Sequence, residues 1–356
     1  LRIAGLAALA CSATVHATEG FEPRYNLAGS LGGEMFAPPQ QSGWIGGLAA
    51  THISVAKVTG DDGRAMAIGV PGGVVPLPGT PPALYPHFGA SVAQVAATGT
   101  MQRWDLAFGY LSREEYGGGR LVWVVDLPYG HKDQHFVGTA ALPTLQWSPL
   151  IPAPVQAAVQ TQFASQYQGA LGAQNEGASG IVSGLGDAEL QGGWLYVTEK
   201  WRLLAGASVI LPTGKYGASN KPDIGNGNFK TLRPAVQAAY LPTPQIAFAA
   251  KLSVGLNGRN KDNQLRSGNW AGVEAAAGYK TPVGVVGLHA IRLAQYQDDD
   301  NNPLGASRFR ATNGGVFFTT LVPGLDAALT LQYIATLSSR NAKDANFTQL
   351  RLVKVF

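Results

Sequence analysis

The stretch FTQLRLVKVF, from Phe347 to Phe356, decides how this chain is read. A strand turns successive side chains to opposite faces, so counting back by twos gives Lys354, Leu352, Leu350 and Thr348 on one face and Val355, Val353, Arg351 and Gln349 on the other. The first row suits lipid and the second a lumen, as in the last strand of an outer-membrane β-barrel. Lys354 interrupts the apolar row one step from the membrane boundary, where a long side chain carries its ammonium out to the headgroups. Taken alone, the same residues could end a soluble β-sandwich, and the choice depends on what precedes them.

Working back from there, candidate strands are joined at one end by minimal turns and at the other by polar loops. The tight joins are Thr198-Glu199-Lys200, Pro242-Thr243-Pro244, Thr281-Pro282-Val283 and Pro323-Gly324-Leu325, while the long connections run over 214–228, 257–267, 297–307 and 338–345. Short periplasmic turns and long extracellular loops are the asymmetry of outer-membrane barrels. Between the joins the alternation is clear. Ile246, Phe248, Ala250, Leu252, Val254 and Leu256 oppose Ala247, Ala249, Lys251, Ser253 and Gly255, and Leu329, Leu331, Tyr333 and Ala335 oppose Thr330, Gln332 and Thr336. The same parity sends Glu189, Arg233, Glu274, Arg308 and Arg310 inward. A sandwich needs an apolar second face, and these second faces are small or charged. Tyr196, Tyr240, Tyr279 and Trp201 flank the tight turns where an aromatic girdle belongs.

The first half is less regular. Ser42 to Val58 reads as a strand, His87 to Ser112 contains a long or bulged one, and Gly119 to Tyr129 is a third. Two long insertions, 59–85 and 132–183, read as extracellular. The first holds the proline-rich PLPGTPP, and the second holds a helix from Pro154 through VQAAVQTQFASQYQGAL, either folded into the pore mouth or capping the rim. Three strands before 132 and nine after 183 give an all-β, antiparallel transmembrane barrel of about 12 strands, within a range of 10 to 14. At the N-terminus, Arg2, an apolar run to Cys11 and Val15-His16-Ala17 form a signal peptide cleaved after Ala17. The domain division is therefore 1–17, signal peptide, and 18–356, barrel. No later apolar run reaches the ~18 residues of a spanning helix. The chain has 46 glycines, is 13% charged and 46% hydrophobic, and carries a formal net charge of +4 dispersed along the strands, which argues against nucleic acid.

The segments GLGDAELQGGWLY, from Gly184, and LLAGASVILPTGKYG, from Leu203, resemble an outer-membrane family linked to the meta-cleavage pathway of phenol degradation. ATEGFEPRYNLAG, SGWIGGLAATHISVAKVTGDDG and VVDLPYG resemble it too, so the likeness spans most of the mature chain. It implies a bacterial outer-membrane location and a porin-like transporter of aromatic or other hydrophobic compounds. Within those motifs Gly184, Gly186, Asp187, Pro212, Thr213 and Gly214 read as structural: the glycines permit close approach after a loop, Asp187 caps loop amides and Pro212 ends a strand.

The expected function is passive uptake of small aromatic or hydrophobic solutes, with Arg233, Lys251, Glu274, Arg308, Arg310 and Arg351 as lumen candidates and the 154–171 segment or the stretch from Phe21 to Phe36 as gates. Lumen charges also have a plain reading as paired ions that brace the wall. Two alternatives stand beside it. A barrel enzyme acting on lipid or peptide would draw on His131, His135 and Asp133, but no nucleophile elbow or metal-protease motif accompanies them. A structural or surface-binding barrel would hold a cation shared with lipopolysaccharide at Asp298-Asp299-Asp300-Asn301-Asn302, whose spacing does not match a calcium loop. The reading is of a protein that is not an enzyme and has no cofactor or resident metal. Its partners are outer-membrane lipid, lipopolysaccharide and the barrel-insertion machinery, and its oligomeric state is open.

Overall fold

The structure, a computed structural model, describes residues 31–32, 36, 42–217, 221–302 and 308–356. The signal peptide 1–17 and most of the Phe21 to Phe36 stretch lie outside them. Among the described residues, the strands in chain order are β1 (Gly43–Val58), β2 (Ala67–Val70), β3 (Gly73–Val74), β4 (His87–Phe88), β5 (Ser91–Tyr116) and β6 (Gly119–Ala140). A helix, α1 (Ala153–Ala178), follows. The chain continues with β7 (Gly180–Leu185), β8 (Glu189–Val197), β9 (Trp201–Ile210), β10 (Thr231–Tyr240), β11 (Ile246–Asn257), β12 (Trp270–Thr281), β13 (Gly284–Gln295), β14 (Arg310–Val322), β15 (Ala327–Arg340) and β16 (Lys343–Val355).

Twelve of these strands, β1, β5, β6 and β8 to β16, form a closed antiparallel barrel; β1 pairs with both β16 and β5, and the β5–β6 and β6–β8 ladders complete the ring. β7 runs along β6 beyond β8, so β7 and β8 act as one strand broken at Gly186-Asp187-Ala188.

The wall is polar inside and apolar outside. Leu48, Leu106, Leu252, Leu288, Val316, Leu331 and Leu350 are 46 to 63% exposed in an unbroken outward belt, whereas Thr51, Ser253, Glu274, Gln332 and Gln349 are at most 4% exposed within. An apolar skin of that extent is stable only against lipid. At the tight-turn end, Trp44 stacks on Phe108 at 5.0 Å, Trp194 on Tyr196 at 5.6 Å, and Trp201 meets Tyr240 at 4.7 Å, forming the girdle. Lys354 places its ammonium 5.0 Å from the centre of the Phe356 ring there. The β5–β6 hairpin turns on Gly117 and Gly118, with φ of 59° and 77°, a conformation glycine adopts without a Cβ clash.

Three boundaries differ from the sequence reading. Residues 338–345 are not a long loop: β15 and β16 continue to a turn at Asn341 and Ala342, with Asn341 at φ 48°. Their polar composition reflects strands rising above the lipid, where the outward face meets water while Ser339, Asn341, Ala342 and Ala345 stay buried. The 132–183 segment begins and ends as strand, so the connection is only 141–179. Within it α1 runs through Gly169, Gly172 and Gly177, because a helical glycine costs only about 1 kcal/mol and tertiary packing exceeds that. Val159, Phe163 and Tyr167 seat on Val75, Leu77, Phe88, Leu145 and Ile151, so the helix caps the extracellular rim.

The barrel seam depends on the last residue. Phe356 N donates to Trp44 O at 2.8 Å, and a Cβ on Gly43, at φ 155°, would collide with the Phe356 carbonyl oxygen. Gly43→Val should therefore destabilise the barrel by about 1–3 kcal/mol, as strained backbone positions do. A lower temperature for loss of the compact, heat-modifiable gel band would register it; an unchanged temperature would mean the seam does not need that approach.

Candidate functional site

The lumen is layered. At the tight-turn end Leu31, from the segment before β1, is 1% exposed among Ala239, Ala247, Ala249, Ala276 and Phe317, with Phe36 packed against the same cluster. Gly278 leaves the room: a Cβ there would stand 2.9 Å from the Phe36 ring. Part of the expected N-terminal gate segment thus plugs this end.

Above the plug lies a belt of paired charges. Arg103 Nη2 is 2.6 Å from Asp105 and 3.9 Å from Asp126, Arg233 pairs with Glu189, and Lys251 Nζ is 3.3 Å from Glu274. Arg351 shares the inward parity of Gln349 and sits in register with the buried Thr330 and Ala49. Polar bridges continue the belt, with Gln332 donating to Gln349 at 2.7 Å and Gln349 to Thr51 at 2.9 Å. Buried charges in a closed wall are tolerated when each has an opposite neighbour.

The structure divides the six charged lumen candidates. Arg233, Lys251, Glu274 and Arg351 are inside. Arg308 and Arg310 are not. Arg308 precedes β14 and donates to Asp298 Oδ1 at 2.6 Å in the extracellular loop, and Arg310 shares the outward parity of Val316 while Ala311, at 4% exposed, points in. Arg103, Asp105 and Asp126 join the first four on the inside, and the alternation of Arg103 and Asp105 with Trp104, Leu106 and Phe108 is the sequence signal for the first two.

Above the belt the interior mixes apolar with polar side chains, where the alternation suggested a polar, moderately charged lumen. Ile53, Val55, Met101, Ile224, Phe309 and Phe347 line a chamber of about 240 Å³ together with Arg103, Lys132, Asp133, Asn226 and Lys343. Met101, Arg103, Ile224 and Asn226 also line a neck of about 70 Å³, which shares Glu189 and Arg233 with a cavity of about 210 Å³ in the charged belt. Shared walls make these three spaces one sequence from the loops inward.

The two motifs from Gly184 and Leu203 build the neck. β9 ends at Ile210 while β6 runs on, leaving a notch in the wall that is lined by residues 211–217 and 221–230. Asp187 holds that segment, accepting from Gly214 N at 3.0 Å with one oxygen and from Asn226 N at 2.9 Å with the other. Ala188 N donates to Thr213 Oγ1 at 2.9 Å, Leu211 N to Ala188 O at 2.8 Å and Lys215 N to Leu185 O at 2.7 Å. Pro212 lies just past the end of β9, where a missing N–H costs no ladder bond. Gly184 lies against the Lys215 side chain, and a Cβ on Gly214 would come 2.8 Å from Gly186 C and 2.7 Å from Gly225 Cα, so glycine permits the closure.

The other candidates resolve into local structure. His131, Asp133 and His135 lie on β6 and not in a loop. His131 Nδ1 is 2.6 Å from Ser183 Oγ, but Asp133 contacts His135, at 3.3 Å, so the described contacts form two separate pairs instead of one relay. In the acidic loop, the hydrogen bond from Arg308 holds the Asp298 carboxyl below its ordinary range, and burial pushes Asp299 up although it accepts from Gly268 N at 2.7 Å. Asp300 pairs with Arg259. These carboxylates tie loops together.

Residues 89–352 match the family model described as "Putative MetA-pathway of phenol degradation". The chain belongs to this family. No sequence among the curated proteins matches it. Among solved structures, an outer-membrane channel from Pseudomonas putida F1 is similar over 89% of this chain and 96% of its own, at 14% identity and a TM-score of 0.61, a likeness of fold. The CymD monoaromatic hydrocarbon channel aligns over 95% of this chain and 98% of its own at 14% identity, with a TM-score of 0.38. The family member described here is an outer-membrane β-barrel.

Removing the Asp187 carboxylate should release two backbone amides at once. With charge-assisted hydrogen bonds contributing about 1.5–3 kcal/mol each, Asp187→Ala is expected to lose about 3–6 kcal/mol and to open the 211–230 segment to protease. Denaturant unfolding in detergent and mapping of the first cleavage sites check both; wild-type resistance at 211–230 would show that the segment is held by other means.

Proposed function

We propose that this protein is a channel for passive uptake of small aromatic or other hydrophobic compounds across the outer membrane. The observation that carries the reading is the chamber above the charged belt: Phe309, Phe347, Ile53, Val55 and Met101 offer an aromatic solute an apolar wall, opposite polar groups such as Lys132 and Asp133, at the point where it leaves the loops. The family's link to phenol degradation and the fold shared with an outer-membrane channel agree with it. Below the chamber, the neck limits the size of what passes and the ion-paired belt disfavours unpaired ions, so a small neutral ring is the best match to the whole path.

Arg233, Lys251, Glu274 and Arg351 serve here mainly as wall braces whose fixed charges border the route, and Leu31 with Phe36 restricts the inner end. Passage requires that the plug yields or that solute slips past it on the Glu189–Arg233 side of the lumen. Lipid and lipopolysaccharide surround the barrel, and the insertion machinery that assembles such barrels places it.

Liposome swelling tests the proposal. Wild-type protein should admit phenol or benzoate-sized solutes faster than sugars of similar size, and the Phe309→Asn/Phe347→Asn variant should lose most of that preference while keeping its sugar rate. Equal swelling by all small solutes in the wild type would make it a general porin. No swelling at all would favour a plugged structural barrel.

A further inference from the structure

On the long-loop side, above the lipid belt, four cations crowd together on the outer face of the wall. Arg292 on β13, Arg310 on β14, Arg340 on β15 and Lys57 on β1 are all exposed and line one open depression of about 510 Å³ together with Ser338, Ser339 and Asp344. Arg310 and Arg340 are direct register partners across the β14–β15 ladder. Like charges placed opposite each other destabilise a sheet. Among the described residues the one ion pair in the patch is Lys57 with Asp344, at 3.5 Å, so four cations face a single carboxylate.

Two β-bulges create this arrangement. In β15, Leu331 and Tyr333 face out and Gln332 and Ile334 in, but the register shift between Thr312 and Asn313 inserts Leu337, and beyond it Ser338 and Arg340 face out and Ser339 in. In β1, Leu48, Ala50 and His52 face out until the shift between Val55 and Lys57, after which Lys57 faces out. Without these bulges Lys57 and Arg340 would point into the lumen, whereas Arg292 and Arg310 keep the outward parity of their own strands. A bulge that re-aims a side chain is a built feature, and two of them converge here on one charged patch. The outward rows carrying these cations descend directly into Leu288, Val316 and Leu331 of the lipid-facing belt, which sets the patch at headgroup level.

We propose that this patch binds a phosphorylated lipid headgroup of the outer leaflet, the lipid A portion of lipopolysaccharide, with Arg310 and Arg340 clamping one phosphate and Arg292 and Lys57 flanking it. Guanidinium groups match phosphate geometry in paired, charge-assisted hydrogen bonds, and the acyl chains of the same molecule would lie on the apolar belt below. The bound anion removes the repulsion between the opposed arginines.

The test uses the purified, folded barrel in detergent, with native mass spectrometry and thermal unfolding as readouts and diphosphorylated lipid A, dephosphorylated lipid A and inorganic phosphate as separate probes. Diphosphorylated lipid A should remain bound and raise the melting temperature, and Arg310→Gln/Arg340→Gln should weaken its binding at least about tenfold, as expected for lost charge-assisted contacts. Neither of the other probes should reproduce the effect at equal concentration. Unchanged binding by the variant, or equal protection by inorganic phosphate, overturns the proposal. Heat-modifiable migration verifies that the variant is folded; if it is not, Arg292→Gln and Arg340→Gln are measured singly, and unchanged binding by both overturns the proposal equally.

Discussion

The backbone of a chain in lipid must satisfy every N–H and C=O within itself, and the rest of this structure follows from that demand. The ring closes because β1 finds partners on both edges, β16 on one side and β5 on the other, with Phe356 fastened to the carbonyl of Trp44 at the join. Once closed, the wall has two faces in different media. The outward row can be apolar without penalty. The inward row has nowhere to hide its charges, so they neutralise one another: Arg103 with Asp105 along β5, Arg233 with Glu189 across β9, and Lys251 with Glu274 between the neighbouring β11 and β12.

Closure also explains why the family's motifs fall where they do. Strands of unequal height leave a notch beyond Ile210, and an open notch would expose strand edges at the membrane's outer boundary. The break at Gly186-Asp187-Ala188 lets the Asp187 carboxylate hold Gly214 and Asn226 in the gap, and the same segment presents Ile224 and Asn226 to both chamber and neck. One set of hydrogen bonds repairs the wall and shapes the neck.

Much of this was legible in the sequence wherever two media impose a period of two. FTQLRLVKVF, the 246–257 alternation and the girdle tyrosines all lie within the lipid belt, and their readings match the faces observed. Legibility failed above the lipid, where a charged side chain is at home on either face. Parity therefore says little about Arg308 and Arg310, and 338–345 looks like a loop when it is a hairpin whose outward face meets water. The bulges at Ala56 and Leu337 invert parity with no signal in residue type. Leu31 and Phe36 carry no periodicity because they belong to no strand, and the chamber was hidden because Ile53, Val55, Phe309 and Phe347 are apolar residues on an inward face where polar ones were expected.

If the proposed channel works as described, the apolar residues of the chamber receive the solute inside the wall. Anomalous diffraction from crystals soaked in a brominated phenol tests this directly. A bromine peak is expected among Met101, Phe309 and Phe347, and it should disappear when both phenylalanines are replaced by asparagine. Bromine bound only on the outer belt, in a protein that still conducts phenol into liposomes, would contradict it.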